Sequence, residues 1–336
     1  MMRAFALFRL PGKTEYIEVR QNDGGVSIVP SYSDLSGKRG FVIAPFSISP
    51  ECPLMVIRPD VFRSCRVPQT TPAACCDNVF TKEKEAYIED FSRFHQSLSD
   101  GTFQKIVLSR NSEAGRKGDT TDEDIFFRAC SLYPNMFVAL VSAPHSGTWL
   151  MATPEILLEG DGNKWRTMAL AGTMRNSADI SWSEKNKREQ KYVEDYIKNC
   201  LSRYAGDIGI DGPYTSHAGN LVHLRSDFTF TLIHPEHIGS VISSLHPTPA
   251  VCGLPKKEAL DFIQASEHSE RRYYSGFTGM LDASGSTHLF VSLRCMNITE
   301  DRFRLYAGGG LLDASTAEKE WLETEAKMET MKRCII

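Results

Sequence analysis

The sequence predicts an α+β fold built from two packed layers. Short strand-like runs, separated by Gly, Pro, Asp and Ser, alternate with longer amphipathic helical segments along the 336 residues. The chain contains no internal repeat and no low-complexity linker, which favours one continuous core over a repeat array or two tethered domains. We therefore expect residues 1–336 to form a single domain, a size that large α+β folds can reach.

The predicted elements divide at about residue 82. The first part, residues 1–81, is β-rich, with strands predicted at 4–10, 15–20 and 41–45 and a Pro- and Thr-rich loop at 66–77. Helices are predicted after this point at 82–98, 122–132, 183–204, 235–245, 256–267 and 315–332. Strands are predicted between them at 103–110, 137–142, 148–151, 165–171, 221–233, 273–281, 288–295 and 303–307.

Composition and charge exclude several classes of partner. With 41% hydrophobic and 24% charged residues the chain is typical of a soluble globular protein, and its net charge is only −4. Basic residues form no run, so we expect neither a nucleic-acid nor an anionic-membrane partner. The apolar start is interrupted by Arg9 and Pro11, and no later run approaches membrane-spanning length. Nine cysteines without a C-x-x-C spacing indicate reduced thiols and a cytoplasmic protein.

Two charged residues in apolar strand segments are candidates for proton transfer. Lys105 opens the run Lys-Ile-Val-Leu-Ser-Arg, where a low dielectric could make it a general base. It could equally be an edge-strand lysine that discourages aggregation. Glu155 precedes the apolar run Ile-Leu-Leu, where desolvation could keep it protonated as a general acid, or it could be a solvated strand end.

Three carboxylates on two predicted helices are candidates for a metal site. Glu189 lies next to the apolar face of one helix, and Glu320 and Glu323 lie one turn apart on the last, followed on the same stripe by Lys327. Hard oxygen ligands of this kind suit Mg²⁺. Acidic helix faces are more often simply solvated, so both readings stay open here.

Two glycine turns could approach an anion closely. Gly172 and Thr173 follow a predicted strand, and three consecutive glycines at 308–310 precede the last helix. Neither turn has the spacing of a phosphate loop or a dinucleotide fingerprint, and tight turns would explain both.

These segments, together and in this order, resemble the chorismate-utilising enzymes, and isochorismate synthase most closely. The resemblance covers residues 82–332, a chorismate-binding core to which residues 1–81 would add β-structure. The motifs that carry it are KIVLSR at 105–110, TPEILLEG at 153–160, ALAGTMR at 169–175, SEKNKREQ at 183–190, LHPTPAVCG at 245–253, ERRYYSG at 270–276, SLR at 292–294, AGGG at 307–310 and EKEWLETEAK at 318–327.

The resemblance implies a fold and a set of site residues. The fold would be two stacked antiparallel sheets flanked by helices, as in anthranilate synthase component I. Lys105 would activate water and Glu155 would act as the general acid. The metal Mg²⁺ would be bound by Glu189 and Glu323, with Glu320 acting through water. The substrate-binding positions would be Arg294 and Tyr274 at the enolpyruvyl carboxylate, together with Gly172, Thr173, Ala250, Gly309, Gly310 and Lys327.

The implied reaction is the reversible conversion of chorismate to isochorismate, feeding menaquinone or siderophore biosynthesis. Ammonia-using relatives usually carry an amide in place of Lys105, and aminodeoxychorismate enzymes a lysine in place of Ala171. A salicylate synthase, which also eliminates pyruvate, stays open. So does a non-catalytic chorismate-binding protein, since Gln190 and Cys252 depart from the usual pattern. A monomer is the default expectation.

Overall fold

The computed structural model describes residues 4–23, 25–69, 74–176, 179–218, 221–282 and 284–336. The strands in the first half of the chain are β1 Phe5–Arg9, β2 Glu15–Arg20, β3 Ser27–Val29, β4 Arg39–Ala44, β5 Leu54–Ile57, β6 Val61–Arg66, β7 Lys105–Gly115, β8 Phe137–Ala143 and β9 Gly147–Thr153. The later strands are β10 Ile156–Asp161, β11 Lys164–Arg175, β12 Ala205–Ala218, β13 Leu221–Leu232, β14 Gly253–Leu254, β15 Phe277–Asp282, β16 Ser286–Val291, β17 Cys295–Ile298 and β18 Arg302–Leu311. The helices are α1 Lys84–Ser99, α2 Asp122–Leu132, α3 Glu184–Leu201, α4 Ile238–Leu245, α5 Lys256–Ser266 and α6 Ala317–Ile335.

The described strands form two antiparallel sheets. Nine strands make sheet A, in the order β14-β7-β18-β17-β9-β8-β1-β2-β6, and nine make sheet B, in the order β12-β13-β11-β10-β16-β15-β4-β5-β3. The two sheets stack face to face, and the ring of Phe137 in sheet A lies 4.2 Å from the ring of Phe290 in sheet B. These stacked sheets with helices outside confirm the predicted fold class.

The core continues on the outer faces of both sheets. Apolar residues of α3 and α4 pack on sheet B, those of α2 and the end of α6 on sheet A, and those of α1 and α5 around β7. A capping box fixes the start of α2, where Thr121 accepts from the Asp124 amide and the Asp124 carboxylate accepts from the Thr121 amide. Each sheet is therefore covered by amphipathic helices, as burial of both its faces requires.

The first 81 residues contribute strands to both sheets. In sheet A, β1 pairs with β8, and in sheet B, β4 pairs with β15. Phe8 and Phe41, one on each sheet, meet across the interior at 5.3 Å between ring centroids. The amino-terminal strands are thus interleaved with later ones in the same core.

Several predicted strands have different bounds in the structure. The strand predicted at 288–295 ends at Val291, and Arg294 adopts a left-handed backbone conformation with φ of +46°. The strand predicted at 273–281 begins only at Phe277, because Ser275 also has a positive φ, of +63°. These two irregular segments carry Tyr274 and Arg294, whose side chains line the cavity described below.

Two further observations concern membrane-spanning helices and the state of the cysteines. Among the described residues no helix is both long and apolar enough to span a lipid bilayer. All nine cysteines, each in the described part of the chain, carry free thiols.

Candidate active site

Lys105 is the first residue of β7, and its side chain is completely buried. It does not lie on a solvated edge, since β14 pairs with this end of β7 and covers it. Its Nζ lies 3.0 Å from Glu189 Oε1 on α3. Within the described residues the amine has no well-aligned hydrogen-bond acceptor, which is costly for a buried polar group. The edge-strand interpretation is therefore wrong, and the buried amine lies against the Glu189 carboxylate.

Glu155 lies in the connection between β9 and β10 and is only 3% exposed. Its backbone is held at both ends, as its amide donates to Thr153 Oγ1 at 3.3 Å and its carbonyl accepts from the Val291 amide at 3.0 Å. Burial raises the pKa of the Glu155 carboxyl to about 7, although the cations Lys105, Arg294 and Lys327 oppose the shift. A solvated glutamate is therefore excluded, and this carboxyl can hold a proton near neutral pH.

Each of the three predicted metal carboxylates is paired with a lysine. Glu189 pairs with Lys105, Glu320 with Lys185, and Glu323 with Lys327 at 2.6 Å. In the part of the chain that the structure describes, no three His, Cys, Asp or Glu side chains cluster closely enough to hold a metal ion. The carboxylates thus follow one another along the site, separated by cations.

Burial and charge affect these carboxylates differently. Burial would raise the pKa of Glu189, but the nearby Lys105 and Lys185 lower it overall. Burial and the neighbouring Glu323 raise the pKa of Glu320, against the opposing effect of Lys185. Glu320 Oε2 is buried and, among the described residues, without a hydrogen-bond partner. That unpaired oxygen is a natural ligand for a hard cation.

The glycines of β18 give these side chains their space. A Cβ at residue 310 would lie 2.0 Å from Glu189 Oε1 and 2.8 Å from Lys105 Cε. A Cβ at residue 309 would lie 3.1 Å from Glu320 Oε2 and 3.6 Å from Glu323 Oε1. Because adjacent strand residues face opposite sides, Gly310 adjoins the Lys105–Glu189 pair and Gly309 the carboxylates of α6. Any larger residue at 310 would displace that ion pair.

The turn at Gly172 is a β-bulge. Ala171 pairs with Leu224 and Thr173 with His223, so Gly172 is the extra residue, and its φ of +62° favours glycine. The bulge points the Gly172 carbonyl at His223 Nδ1, at 3.2 Å.

His223 connects this bulge to Arg294. Its Nε2 lies 2.9 Å from Arg294 Nη2, and both side chains are buried. Burial lowers the pKa of His223 well below its usual value, and the charges of Arg294 and Lys327 lower it further. Arg294 Nη1 has no partner among the described residues. The guanidinium is thus oriented from one side and keeps a free donor on the other.

Tyr274 and Lys327 complete the wall of this site. The ring of Tyr274 stacks on Tyr306, with centroids 5.6 Å apart and planes 14° apart. Lys327 Nζ donates to the carbonyl of Gly308 at 2.8 Å, which fixes α6 against β18. Both side chains therefore have well-defined positions before any ligand arrives.

Most of the predicted site residues line one cavity, referred to as the inner cavity. Its lining includes Glu155, Gly172, Thr173, Glu189, Ala250, Tyr274, Arg294, Gly310 and Lys327. Glu320 and Glu323 instead line a second, outer pocket, which shares Thr173 with the inner cavity. Lys105 and Gly309 lie behind these surfaces and are not lining residues of either. The predicted set therefore occupies one continuous region with two compartments.

Three residues at the site are not identified by sequence patterns. His223 is a single histidine in a strand, and Lys185 is one of several charges at the start of α3. Gln190, a departure from the family pattern, is buried, accepts from the Ala171 amide at 2.9 Å and donates to Ser226 Oγ at 3.1 Å. It ties α3 to sheet B, so Glu189 beside it is held in place. His223 shares its strand face with Arg225 and Asp227, so a polar residue is unremarkable there and the local sequence gives no signal for it.

The charge balance of the region favours an anionic ligand. Four basic side chains, Lys105, Lys185, Arg294 and Lys327, face the carboxyl groups of Glu189, Glu320 and Glu323, while Glu155 has a pKa of about 7 and is partly protonated at neutral pH. Among the described residues, Arg294 Nη1 has no hydrogen-bond partner, and Lys105 Nζ has only the poorly aligned contact with Glu189. Buried donors without acceptors indicate a site completed by a small molecule that carries carboxylates or hydroxyls.

The family described as chorismate binding enzyme matches residues 61–336. The chain belongs to this family. The resemblance to the chorismate-utilising enzymes that the sequence motifs indicated is therefore confirmed. It is 30% identical over 271 residues to isochorismate synthase DhbC of Bacillus subtilis, covering 75% of this chain and 68% of that protein. It is 29% identical over 238 residues to isochorismate synthase EntC of Escherichia coli K12, covering 68% of this chain and 61% of EntC.

The fold agrees with solved structures of the family. The menaquinone-specific isochorismate synthase MenF of Escherichia coli superimposes with a TM-score of 0.84 at 20% identity, covering all of this chain and 89% of MenF. At this identity the likeness establishes the fold. The sequence match spans less than two thirds of EntC, whose activity is therefore not transferred to this chain by similarity alone.

Proposed function

We infer that this chorismate binding enzyme is an isochorismate synthase that interconverts chorismate and isochorismate with the aid of Mg²⁺. The observation that carries the proposal is a buried base and a buried acid in one site. Lys105 is fully buried, 3.0 Å from Glu189 and without a well-aligned hydrogen bond among the described residues, and Glu155 has a pKa of about 7. Such a pair suits a reaction in which one hydroxyl enters the ring and another leaves it.

Substrate binding would use the unpartnered donors. Chorismate is a dianion, and Arg294 can offer its free Nη1 to the enolpyruvyl carboxylate, where Tyr274 lies beside it. Gly172, Thr173 and Ala250 would border the ring, and Lys327 and Gly310 its carboxylate. The oriented guanidinium of Arg294 and the glycines of β18 would hold the substrate in position before the reaction begins.

The carboxylates Glu189, Glu320 and Glu323 would hold Mg²⁺, because Glu320 Oε2 is buried without a partner and oxygen ligands suit this ion. When bound, Mg²⁺ would neutralise carboxylate charge and so allow the ring carboxylate of the substrate to approach.

The reaction follows from two proton transfers. In its neutral form Lys105 accepts a proton from a water molecule that attacks C2, and a C2–O bond forms. The ring double bonds shift, the C4–O bond breaks, and Glu155 donates a proton so that the hydroxyl leaves as water. One water enters and one leaves, so the conversion is reversible. Each proton transfer contributes about 10²- to 10⁴-fold to the rate.

Product analysis tests the proposal. The protein is incubated with chorismate and MgCl₂, and separately with isochorismate, and products are resolved by chromatography. We expect the same mixture from both sides, and none after removal of Mg²⁺ with EDTA. Failure to interconvert the two compounds in either direction would refute the assignment. Salicylate together with pyruvate would identify a salicylate synthase instead.

A variant of Lys105 separates an enzyme from a binding protein. Lys105→Ala should lose turnover by about 10²-fold or more while chorismate still raises its melting temperature. The control is Lys164→Ala, an exposed lysine at the start of β11, which should behave like the wild type. A non-catalytic chorismate-binding protein would show thermal stabilisation and no turnover even with Lys105 intact.

A cytoplasmic location is part of the same proposal. All nine free thiols lie outside the linings of the inner cavity and the outer pocket, and free thiols suit a reducing compartment. Desolvation raises the pKa of the buried Cys252 thiol. Thiol chemistry therefore has no part in the proposed reaction.

A further inference from the structure

The outer pocket borders the inner cavity. It lies between the end of β11, the start of α3 and the first turns of α6, and it shares Thr173 with the inner cavity. Its charged lining consists of three cations, Arg175, Lys185 and Lys319, and two carboxylates, Glu320 and Glu323. The pocket thus has a local excess of positive charge on a chain whose net charge is −4.

Two of the three cations have no structural use within the described residues. Lys185 is paired with Glu320. Arg175, the last residue of β11, and Lys319, in the first turn of α6, are exposed and form no ion pair with any described residue. They stand on different elements that border the same opening. Neither side chain packs in the core, so the main effect of the two charges is on ligands that enter the outer pocket.

A dianionic substrate, as the proposed function requires, would meet the Glu320 and Glu323 carboxylates if it entered through the outer pocket. Screening limits electrostatic action to about 8 Å at physiological salt, so charges at the opening matter more than the net charge of the chain. Charges of one sign around a cleft raise the local concentration of the oppositely charged ligand and its rate of capture.

We propose that the outer pocket is the entrance to the inner cavity and that Arg175 and Lys319 form its positively charged mouth. Their charges attract the dianionic substrate into the pocket despite the carboxylates of α6. The two residues lie outside the inner cavity and touch none of the reacting groups. They act on capture, so their contribution belongs to kcat/KM and weakens as salt is added. The inference rests on the proposed function for the identity of the substrate.

The test uses Arg175→Gln, Lys319→Gln and the double variant, with Lys164→Gln as the matched control. Lys164 is an exposed lysine at the opposite end of β11 and forms no ion pair within the described part of the chain, so its substitution removes the same charge from the same strand. The value of kcat/KM for chorismate is measured from about 20 mM to about 500 mM salt. We expect each mouth variant to lose about two- to fivefold at low salt, and the double variant more. The differences should disappear at high salt.

Charge reversal sharpens the comparison. Arg175→Glu with Lys319→Glu should lower kcat/KM further and reverse the sign of its salt dependence. If the double variant keeps the salt dependence of wild type and of Lys164→Gln, the mouth is refuted. If the wild type converts no chorismate, the proposed function fails, and the variants are then compared by equilibrium binding of chorismate. Equal affinities for the double variant and Lys164→Gln at low salt would overturn the inference on its own.

Discussion

His223 Nε2 lies 2.9 Å from Arg294 Nη2, and this contact determines the protonation of the ring. A guanidinium can only donate, so Nε2 must be the acceptor and the proton must be on Nδ1. From there it is donated to the carbonyl of Gly172 at 3.2 Å. The bulge in β11 thus fixes a neutral imidazole, which in turn orients Arg294.

Replacing His223 by Leu should weaken substrate binding. The change leaves a buried guanidinium donor without an acceptor, which costs about 1–3 kcal/mol and frees Arg294 to turn. We expect KM for chorismate to rise about 5- to 100-fold, with a smaller effect on kcat. His223→Gln keeps a side-chain acceptor and should lose less. Steady-state kinetics measure KM and kcat for both variants. An equal rise in KM in both would show that the contact does not position Arg294.

The acidity of Glu155 predicts a pH dependence. Only the protonated carboxyl can donate to the departing hydroxyl, and its pKa is about 7. The value of kcat/KM should therefore fall as the pH rises through about 7. Glu155→Gln should lower kcat by about 10²- to 10⁴-fold below pH 7, and the difference from wild type should narrow at higher pH. The profile is measured at constant ionic strength. A flat profile between about pH 6 and 8.5 would remove Glu155 from the role of general acid.

The same carboxyl predicts a stabilised but inactive variant. The folded-state pKa of Glu155 is raised from 4.5 to about 7, so its contribution to stability is present below pH 4.5 and lost as the pH rises through about 7. The side chain of Glu155→Gln does not ionise, so the variant does not lose this stability as the pH rises. At pH 8 the variant should be more stable than wild type by up to about 3 kcal/mol. Thermal and urea unfolding at pH 5 and pH 8 measure the effect.

Glu159, four residues further along the chain, is the matched control for that experiment. Burial would raise its pKa, but hydrogen bonding to His288 and the charge of Arg166 lower it overall. Its stabilising contribution is present at neutral pH and lost as the pH falls below its unfolded value of 4.5. Glu159→Gln should therefore destabilise the protein at pH 8. Equal shifts of both variants in the same direction would contradict this account.

Gly310→Ala should disrupt the site without unfolding the chain. The new methyl group would lie 2.0 Å from Glu189 Oε1 and 2.8 Å from Lys105 Cε, so the ion pair must move. A displacement of this size is expected to cost about 10²-fold in activity. Gly206→Ala is the control, since its Cβ would meet only Thr231 Oγ1, at 3.7 Å. Wild-type activity in Gly310→Ala would show that the pair has more room than the structure indicates.

The candidates for proton transfer could be identified from sequence because charged residues are conspicuous in apolar strands. That these side chains are buried could not be predicted from sequence. Lys105 is covered by β14, which lies about 150 residues further along the chain and has only two residues. Sequence patterns near Lys105 therefore cannot distinguish a buried base from an edge lysine, because exposure is decided by distant segments.

Strand β12 shows a different limit. Its sequence contains Gly206, Gly209, Gly212 and Pro213, which are depleted in strands, so local propensity does not predict one. The pairing with β13 is kept by two register shifts, between Gly206 and Gly209 and between Asp211 and Tyr214. Bulges accommodate the residues that would break a regular ladder. Here a long neighbouring strand overrides local preference.

The position of β1 inside sheet A has a practical meaning for anyone trimming the chain. The family match begins at residue 61, which invites expression from that point. Such a fragment would lack β1 and β4, and β8 and β15 would each lose a neighbour from the middle of a sheet. Unsatisfied ladders and bared phenylalanines such as Phe137 would then drive it into inclusion bodies.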